Sequence, residues 1–322
     1  MIPSPRTVYP CHGARLAVVW AALALIGLMG FARASGARTL EVGPSRDLKA
    51  PSEAAAIARP GDSVIIDSGE YFDCAVWTVD HLTIEGRGSG AVITDKTCEG
   101  KALFVTRGND ISIRNLTFTR ARVPDHNGAG IRAEGRNLRI EQNRFINNEE
   151  GLLAGDRSDS TIQIANSELL RNGKCDDSCA HGIYVGKIAL LRIEHSRFVE
   201  TRVGHHVKSR AMRTELVDNE IMDGQEGTAS YLVDIPNGGS LLMKGNRLEK
   251  GPNNSNHSAA IVIGAEGVTQ RTAEISISGN TFVNDDTNST VFVKNLTATE
   301  AMLRDNSLRG KVVPLSGDGT VH

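Results

Sequence analysis

The 322-residue sequence has few aromatic residues, few prolines and almost no net charge. Aromatics make up 4% and there are only 10 prolines, which excludes collagen-like and proline-rich disordered chains. A net charge of −2 gives no reason to expect nucleic acid or an anionic membrane as a partner. Glycine is plentiful, with 33 residues, beside 40% hydrophobic residues. This mixture is typical of a folded chain with many turns and short strands.

The longest hydrophobic run lies near the amino terminus. Two arginines precede an apolar segment, Leu16 to Ala32, and Ala32-Arg33-Ala34 provides a small-x-small cleavage site. This pattern predicts a secretory signal peptide over residues 1–34 and a single mature domain over residues 35–322; the alternative is one membrane anchor. We therefore expect an exported protein, periplasmic or secreted, with no membrane association after cleavage.

Four cysteines follow the predicted cleavage site, an even number for an oxidising compartment. Cys175 and Cys179 are separated by three residues and His181 follows, so both a local disulfide and a metal site fit the spacing. Zinc sites usually show a second paired element, which this sequence lacks. The sequence therefore favours a Cys175–Cys179 disulfide over a metal site.

A short phrase recurs from residue 111 onward with an internal period of two. Each copy alternates apolar and polar residues, then in most copies gives Asn or Ser, one polar residue and one large apolar residue. The closing apolar residues stand 23 to 34 residues apart: Phe118, Phe145, Leu169, Phe198, Ile221, Leu248, Phe282 and Leu308. A period of two predicts strands and excludes a helical solenoid. Such repeats bury a common apolar face only by stacking.

A second phrase lies between these strands. It reads GIRAE (130–134), GLLAG (151–155), GIYVG (182–186), GHHVK (204–208), SYLVD (230–234) and AIVIG (260–264). Aligned in this way, its fourth residue is apolar in all six copies. Two strands per repeat, with shorter third strands, describe one coil of an all-β, parallel solenoid whose coils lie ~4.8 Å apart.

The start of the mature chain resembles a known superfamily. An alanine-rich helical segment, Ser52 to Arg59, precedes Pro60-Gly61-Asp62, and an apolar strand then ends in Gly-Glu-Tyr71. This order resembles the opening coil of right-handed parallel β-helix proteins of the pectin-lyase-like type, and the resemblance extends over residues 40–315. It implies a right-handed parallel β-helix with a short amino-terminal capping helix.

The resemblance also bears on the other two cysteines and on the partner. Cys74 and Cys98 lie 24 residues apart, about one coil, so stacking brings them within the ~4.4–6.8 Å Cα separation that a disulfide needs. Many β-helix enzymes act on polysaccharides, because the long face accommodates many sugar rings. The resemblance therefore implies an acidic polysaccharide as partner and a monomeric protein.

The second phrase places titratable side chains on the outer face of the coils. Its second and fourth residues point inward, so its third and fifth residues point outward. The outward set, with neighbours in the chain, is Arg132, Glu134, His181, Tyr184, His206, Lys208, Arg210 and Asp234. A register shifted by one would bury Lys208, at a cost of several kcal/mol, and is rejected. The chosen register turns His205 inward, where we expect a core histidine.

These residue types suit β-elimination or C5-epimerisation of a uronate. Either reaction needs a cation at the carboxylate, a base at C5, and an acid at O4 or at the opposite ring face. We assign Lys208 and Arg210 as cations, His206 as the base and Tyr184 as the acid. Asp234 orients Lys208 or holds Ca²⁺, the one cofactor considered.

The remaining outward residues are expected to bind substrate: His181, Arg132 and Glu134, together with Asp234. The set resembles the residue types of alginate lyases and mannuronan epimerases. The Asp-Pro-His-Asp signature of the epimerases and the acidic cluster of a pectate-lyase calcium site are both absent. We therefore expect no firmly bound metal.

Two other classes of function stay open. Hydrolysis needs two carboxylates about 5–5.5 Å or 6.5–9.5 Å apart, whereas Glu134 and Asp234, four coils apart, are separated by roughly 19 Å. Asp176-Asp177 with His181 resembles polygalacturonase elements, but those elements stand further apart. A non-catalytic β-helix that binds a glycan is the third class, because solvated solenoid faces also carry scattered charges. The sequence favours the lyase or epimerase class.

Overall fold

The computed structural model describes residues 36–176 and 179–322. The predicted signal peptide, residues 1–34, and Asp177 lie outside the described residues. Within the described residues the chain forms 34 strands and one α-helix. No helix in these two segments is long and apolar enough to cross a membrane.

The elements follow one another along the chain in a regular order. They are β1 (Thr39–Val42), α1 (Pro51–Ile57), β2 (Ser63–Ile66), β3 (Gly69–Tyr71), β4 (Ala75–Trp77), β5 (Thr83–Gly86), β6 (Ala91–Thr94), β7 (Ala102–Thr106), β8 (Ile111–Arg114), β9 (Thr117–Thr119), β10 (Ala129–Ala133), β11 (Leu138–Glu141), β12 (Arg144–Ile146), β13 (Glu150–Ala154), β14 (Arg157–Ala165), β15 (Glu168–Leu170), β16 (Lys174–Cys175), β17 (Cys179–Ala180), β18 (Ile183–Val185), β19 (Ile188–Glu194), β20 (Arg197–Val199), β21 (Val207–Ser209), β22 (Arg213–Val217), β23 (Glu220–Met222), β24 (Val233–Ile235), β25 (Ser240–Lys244), β26 (Arg247–Lys250), β27 (Ala259–Ile263), β28 (Ile275–Ser278), β29 (Thr281–Asn284), β30 (Thr290–Asn295), β31 (Ala301–Arg304), β32 (Ser307–Arg309), β33 (Val312–Ser316) and β34 (Gly319–Val321).

Three long parallel sheets run along the stack of coils. Sheet A has the order β1-β2-β5-β8-β11-β14-β19-β22-β25-β28-β31-β34, sheet B the order β3-β6-β9-β12-β15-β20-β23-β26-β29-β32, and sheet C the order β4-β7-β10-β13-β18-β21-β24-β27-β30-β33. Each full coil gives one strand to each sheet, so neighbours within a sheet come from successive coils. This arrangement is a parallel β-helix, and the fold prediction is confirmed.

The interior is filled by the inward residues of the three sheets. In β11, for example, Leu138 and Ile140 are buried while Arg139 between them is exposed. The apolar column predicted from the first phrase is present in sheet B, where Phe145 pairs with Phe118 on one side and Leu169 on the other. Burial of such side chains contributes roughly 25 cal/mol per Å² of apolar surface.

A polar ladder, buried except at its half-buried last member Asn306, runs through the turns between sheets A and B. It is built from the Asn or Ser of the first phrase: Asn143, Ser167, Ser196, Asn219, Asn246, Asn280 and Asn306. Asn246 shows the pattern, because its Oδ1 accepts the backbone N–H of Asn219 at 3.0 Å and its Nδ2 donates to Asn280 Oδ1 at 2.8 Å. The ladder thus satisfies turn backbone that water does not reach.

Helix α1 covers the amino-terminal end of the core. It begins at Pro51, where the missing N–H costs nothing, and its Ala54 is fully buried as the helix packs against β1 and β4. Its bounds, Pro51–Ile57, lie within two residues of the predicted Ser52–Arg59.

Both predicted disulfides are present. Cys74 and Cys98 have a Cα separation of 5.4 Å and join neighbouring coils. Cys175 and Cys179 close the antiparallel hairpin of β16 and β17. The alternative of a metal site at the second pair is therefore wrong, because the two sulfurs are bonded to each other.

Candidate active site on sheet C

Three of the predicted site residues form a column on the outer face of sheet C. Tyr184 of β18 pairs with Lys208 of β21, which pairs in turn with Asp234 of β24. Side chains that occupy equivalent positions on successive coils point the same way and lie ~4.8 Å apart at the backbone. We call Arg132, Leu153, Tyr184, Lys208 and Asp234, which share this position on five coils, the central column.

Between β18 and β21 the register differs from the predicted one by two residues, whereas Leu153 pairs with Tyr184 and Lys208 with Asp234 as predicted. The prediction placed Tyr184 beside His206, whereas the structure places it beside Lys208, and Val185 pairs with Ser209. A shift of two residues leaves the inward and outward sets of a strand unchanged. The alternating pattern therefore excluded a shift of one and could not detect a shift of two.

His206 is buried, so the prediction of an outward catalytic base is wrong. Its exposure is 0%, and it lies at a bend just before β21, where the alternation of an extended strand does not hold. Its Nε2 lies 2.9 Å from Asp223 Oδ1 and its Nδ1 lies 2.8 Å from Thr201 Oγ1. These contacts make His206 part of a buried polar group.

His205 takes the opposite orientation and faces the site, so the expectation of a core histidine there is also wrong. It belongs to a second column, the stacked column, formed by Glu150, His181, His205 and Tyr231. The His205 ring stacks on that of His181 at 4.9 Å and on that of Tyr231 at 5.1 Å. Its Nε2 lies 3.4 Å from Asp234 Oδ2, which joins the two columns.

The stacked column is tied together by hydrogen bonds from backbone to side chain. The N–H of His181 donates to Glu150 Oε2 at 3.0 Å, and the N–H of His205 donates to His181 Nδ1 at 3.0 Å. The N–H of Tyr231 then donates to His205 Nδ1 at 3.1 Å. The backbone N–H of each residue therefore holds the side chain of the residue before it in the column in one orientation.

These bonds decide the protonation of both histidines. A neutral ring whose Nδ1 accepts a hydrogen bond carries its proton on Nε2. Burial, reinforced by Lys208, lowers the pKa of His205 to about 3, and burial lowers the pKa of His181 well below its ordinary value. Both rings therefore act as neutral Nε2–H donors.

Tyr184 is held between two cations. Its hydroxyl oxygen accepts a hydrogen bond from Arg210 Nε at 2.8 Å. Lys208 Nζ lies 5.8 Å from the centre of the tyrosine ring, within the range of a cation–π contact. Arg210 is itself anchored, since it donates to Glu266 Oε2 at 2.6 Å and to Asn237 Oδ1.

Two carboxylates flank Lys208. Its Nζ donates to Glu266 Oε1 at 2.7 Å and lies 3.5 Å from Asp234 Oδ2. Burial raises the pKa of Asp234 to about 6. Against the effect of its own burial, hydrogen bonds from Lys208 and Arg210 lower the pKa of Glu266. The pKa values of the two carboxyl groups are thus moved in opposite directions although the groups share one ammonium.

Other predicted substrate-binding residues lie further away. Arg132 stands in the central column two coils from Tyr184. Glu134 is paired with Lys101 at 2.7 Å and Arg107 at 3.0 Å, and the structure does not bring it to Tyr184, so this site prediction is not supported. His181 joins the site through its stacked ring.

The described side chains do not fit a calcium site. Within the described residues, no group of three or more His, Cys, Asp and Glu side chains is arranged to hold a metal ion. Asp234, the residue considered for Ca²⁺, is instead engaged by Lys208 and His205.

Sequence reasoning missed Glu150, His205, Tyr231 and Glu266. The first three share the stacked column, three residues before the central column. In a regular strand an odd offset places a residue on the opposite face, so strand alternation could not show that they reach the site. Glu266 follows β27 in a turn, and its contact with Lys208 spans 58 residues of chain. No local pattern in the sequence reports that contact.

Comparisons with known proteins agree with this architecture. Residues 54–221 match the family model described as the right handed beta helix region. No curated protein matches the sequence.

Solved structures with similar folds include an alginate lyase from Paenibacillus sp. str. FPU-7, with 19% identity, a TM-score of 0.64, and coverage of 88% of this chain and 99% of that one. Pectate lyase Pel9A follows with 15% identity, a TM-score of 0.54, and coverage of 89% and 78%. The PL6 family alginate lyase AlyGC has 17% identity, a TM-score of 0.54, and coverage of 87% and 40%. At these identities the likeness shows the fold alone.

Proposed function

Because the chain belongs to the right-handed β-helix family, we propose that sheet C binds an acidic polysaccharide and that Tyr184 and Lys208 cleave it by β-elimination at a uronate residue. The similar folds of alginate and pectate lyases agree with this substrate class. We further propose that the chain is exported, which suits a polymeric substrate and the two disulfides.

The observation that carries the proposal is the setting of the Tyr184 hydroxyl. Tyr184 is partly exposed, its hydroxyl accepts a hydrogen bond from Arg210, and its ring centre lies 5.8 Å from Lys208 Nζ. A cationic donor at this oxygen stabilises the negative charge of the phenolate, the form that accepts a proton. The arrangement suits a phenolate that takes up a proton and gives it back.

The reaction needs a proton acceptor, a carboxylate partner and a proton donor. Tyr184 reacts as the phenolate: its oxygen removes the C5 proton, the electron pair forms the C4=C5 double bond, and the C4–O4 bond breaks. The neutral phenol formed in this way then gives the proton to the O4 leaving group, which restores the phenolate. Lys208 and the Nε2–H of His205 meet the uronate carboxylate and stabilise the charge that C5 deprotonation places on it. Arg210 acts on the reaction through Tyr184 and is a positioning residue.

The test is the substitution Tyr184→Phe, assayed on polygalacturonate, polymannuronate and polyguluronate. The wild-type chain should give a product with the ultraviolet absorbance of an unsaturated uronate. Tyr184→Phe should reduce this rate at least ~10²-fold, the usual loss for a proton-transfer group, without changing the unfolding midpoint.

The matched control is Tyr71→Phe, because Tyr71 is buried in the first coils and donates to Asp67 O at 2.8 Å. It should retain the elimination rate. Wild-type chain that releases no unsaturated product from any of the three polymers contradicts the proposal.

A specific observation favours hydrolysis as the second candidate. Asp234 and Glu266 both contact Lys208 Nζ, and their pKa values are moved in opposite directions. Two neighbouring carboxyl groups with separated pKa values are what the acid and the nucleophile of glycoside hydrolysis require. New reducing ends without ultraviolet absorbance, lost in Asp234→Asn, would favour this reaction. Binding without any shortening of the polymer would indicate a glycan-binding protein.

A further inference from the structure

A second polar pocket opens beside the Tyr184 centre, towards the amino-terminal coils. It has a volume of about 360 Å³ and lies between the coil of Arg132 and that of Tyr184. The residues that line it and enter the argument below are Arg132, Glu150, Gly155, Tyr184 and Gly186. The Tyr184 ring is therefore shared between this pocket and the proposed catalytic centre.

Two polar atoms in this pocket have no partner among the described residues: Glu150 Oε1 and Arg132 Nε. Glu150 is only 1% exposed, and its other oxygen accepts the His181 N–H. The carboxylate nearest to Arg132 is Glu134 at 4.0 Å, and Glu134 is already held by Lys101 and Arg107. Buried polar atoms in native proteins normally have partners, so each of these two atoms has the capacity for one further hydrogen bond.

Both unpartnered groups are hydrogen-bond donors. Arg132 carries a permanent positive charge and only N–H groups. Burial raises the pKa of Glu150 well above its ordinary value, against the opposing effects of the His181 N–H, Arg132 and Lys208, and so favours the neutral carboxyl group, which offers an O–H. Two donors, one of them cationic, call for an anionic acceptor with two oxygens.

We propose that Arg132 and Glu150 form a second carboxylate subsite, which holds the carboxyl group of a uronate residue near the one at Tyr184. The inference rests on the proposed function and deepens it, because it requires a polymer that carries uronates at both positions. Arg132 and Tyr184 are two coils, ~10 Å, apart in the central column. Polymers with a neutral sugar at the second position should bind less well.

The glycines of this pocket show how it can be closed without moving its charges. A Cβ added at Gly155 would meet no atom within 4 Å, so a larger residue there projects into open space. At Gly186 an added Cβ would lie 2.4 Å from Asp156 Oδ1 and 2.8 Å from the carbonyl carbon of Gly155, so that position does not accept a side chain. Gly155→Leu is therefore the variant that blocks the subsite by volume alone.

The experiment measures binding by titration calorimetry. The probes are the trimers of galacturonate, mannuronate and guluronate, each compared with the same trimer after reduction of its carboxyl groups. Arg132→Gln and Gly155→Leu should weaken binding of the charged trimer by ~10-fold or more, the usual loss for a charged hydrogen bond. Glu150→Gln should stay within a few fold of wild type because the amide N–H replaces the acid O–H, whereas Glu150→Ala should lose affinity.

The matched control is Arg144→Gln, because Arg144 lies on the outer face of sheet B and pairs with Glu168 at 2.9 Å. It should bind as the wild type does. Equal affinity of Arg132→Gln and wild type, or a wild type that binds none of the trimers, overturns the subsite. Weakened binding in a chain that cleaves no uronate polymer would keep the subsite and reject the elimination; unchanged binding in a chain that cleaves would do the reverse.

Discussion

At the scale of single residues, two adjacent histidines have opposite roles. His205 faces the site with a side chain 12% exposed, and His206 is enclosed at a bend. The sequence predicted an outward catalytic base at His206 and a core histidine at His205, and the structure shows the opposite orientation for each. Alternation holds only inside an extended strand, and β21 begins one residue after His206.

The burial of His206 predicts a stability effect. His206→Ala removes the only side-chain donor within hydrogen-bond distance of Asp223 Oδ1 in the described structure and leaves that buried oxygen without a partner. We expect a loss of about 3 kcal/mol in the free energy of unfolding, measured by urea denaturation, with unchanged elimination kinetics in the folded fraction.

The exposed His195, which has a φ of 49°, supplies the control as His195→Asn, because Asn tolerates that conformation. A change within about 0.5 kcal/mol is expected there. A His206→Ala chain that keeps wild-type stability would show that the buried pair contributes nothing.

The lowered pKa of His205 predicts that the stability of the folded chain depends on pH. The pKa of His205 falls from 6.5 to about 3 on folding, so the folded chain binds fewer protons than the unfolded chain between these values. The contribution of His205 to the free energy of unfolding is fully present above pH 6.5. It is lost as pH falls towards 3, and the loss is on the order of 3–5 kcal/mol at most. His205→Gln, whose amide oxygen still accepts the Tyr231 N–H, should show a shallower loss in acid.

The raised pKa of Asp234 has the opposite effect on stability. Its pKa rises from 3.8 to about 6, so the folded chain gains stability as pH falls through this window. Asp234→Asn should therefore make the acid loss steeper. Parallel pH profiles of all three chains, from thermal melts between pH 3 and 8, would contradict both assignments.

At the scale of elements, each strand matters through its register. The first phrase identified its column correctly because Phe145 and its equivalents close every copy with a large apolar residue. The second phrase offered only alternation, and Val207 fits beside Ile183 as well as beside Val185. The fold, the disulfides and the outward position of Tyr184, Lys208 and Asp234 could therefore be derived from sequence. The register of β21 against β18, and with it the neighbour of Tyr184 on the next coil, could not.

The polar ladder gives a test at this scale. In Asn246→Asp the side chain keeps its size but cannot donate to Leu216 O or to Asn280 Oδ1, and it places a charge where exposure is 1%. We expect a loss of at least about 2 kcal/mol in unfolding free energy.

Asn253→Asp is the matched control, because Asn253 is exposed and donates one bond to Gln225 O at 2.8 Å. It should be close to neutral. Similar losses in both variants would mean that the ladder contributes no more than a surface turn.

At the scale of the whole molecule, the two columns extend over several coils of sheet C, the surface that we propose binds the polymer. The central column from Arg132 to Asp234 covers four coil spacings, ~19 Å. A polymer that lies along it contacts several coils at once, so binding energy from distant sugars becomes available to the reacting one.

This extent predicts a dependence on substrate length. The value of kcat/KM should rise with the number of uronate residues until the oligomer spans the column, and then level off. This dependence of kcat/KM on length is measured by steady-state kinetics on a size-fractionated series of oligomers. A rate that is already maximal for the dimer would place all productive contacts at Tyr184.

The hydrogen bonds of all three sheets point along the stack, since each links one coil to the next. This has a mechanical consequence. A force applied along the stack pulls these bonds end-on, and an end coil can peel away while the coils behind it keep their own contacts. A force across the stack must shear every bond between two coils at once. The molecule is therefore soft in one direction and stiff in the other, and a polymer held along sheet C would pull in the soft direction.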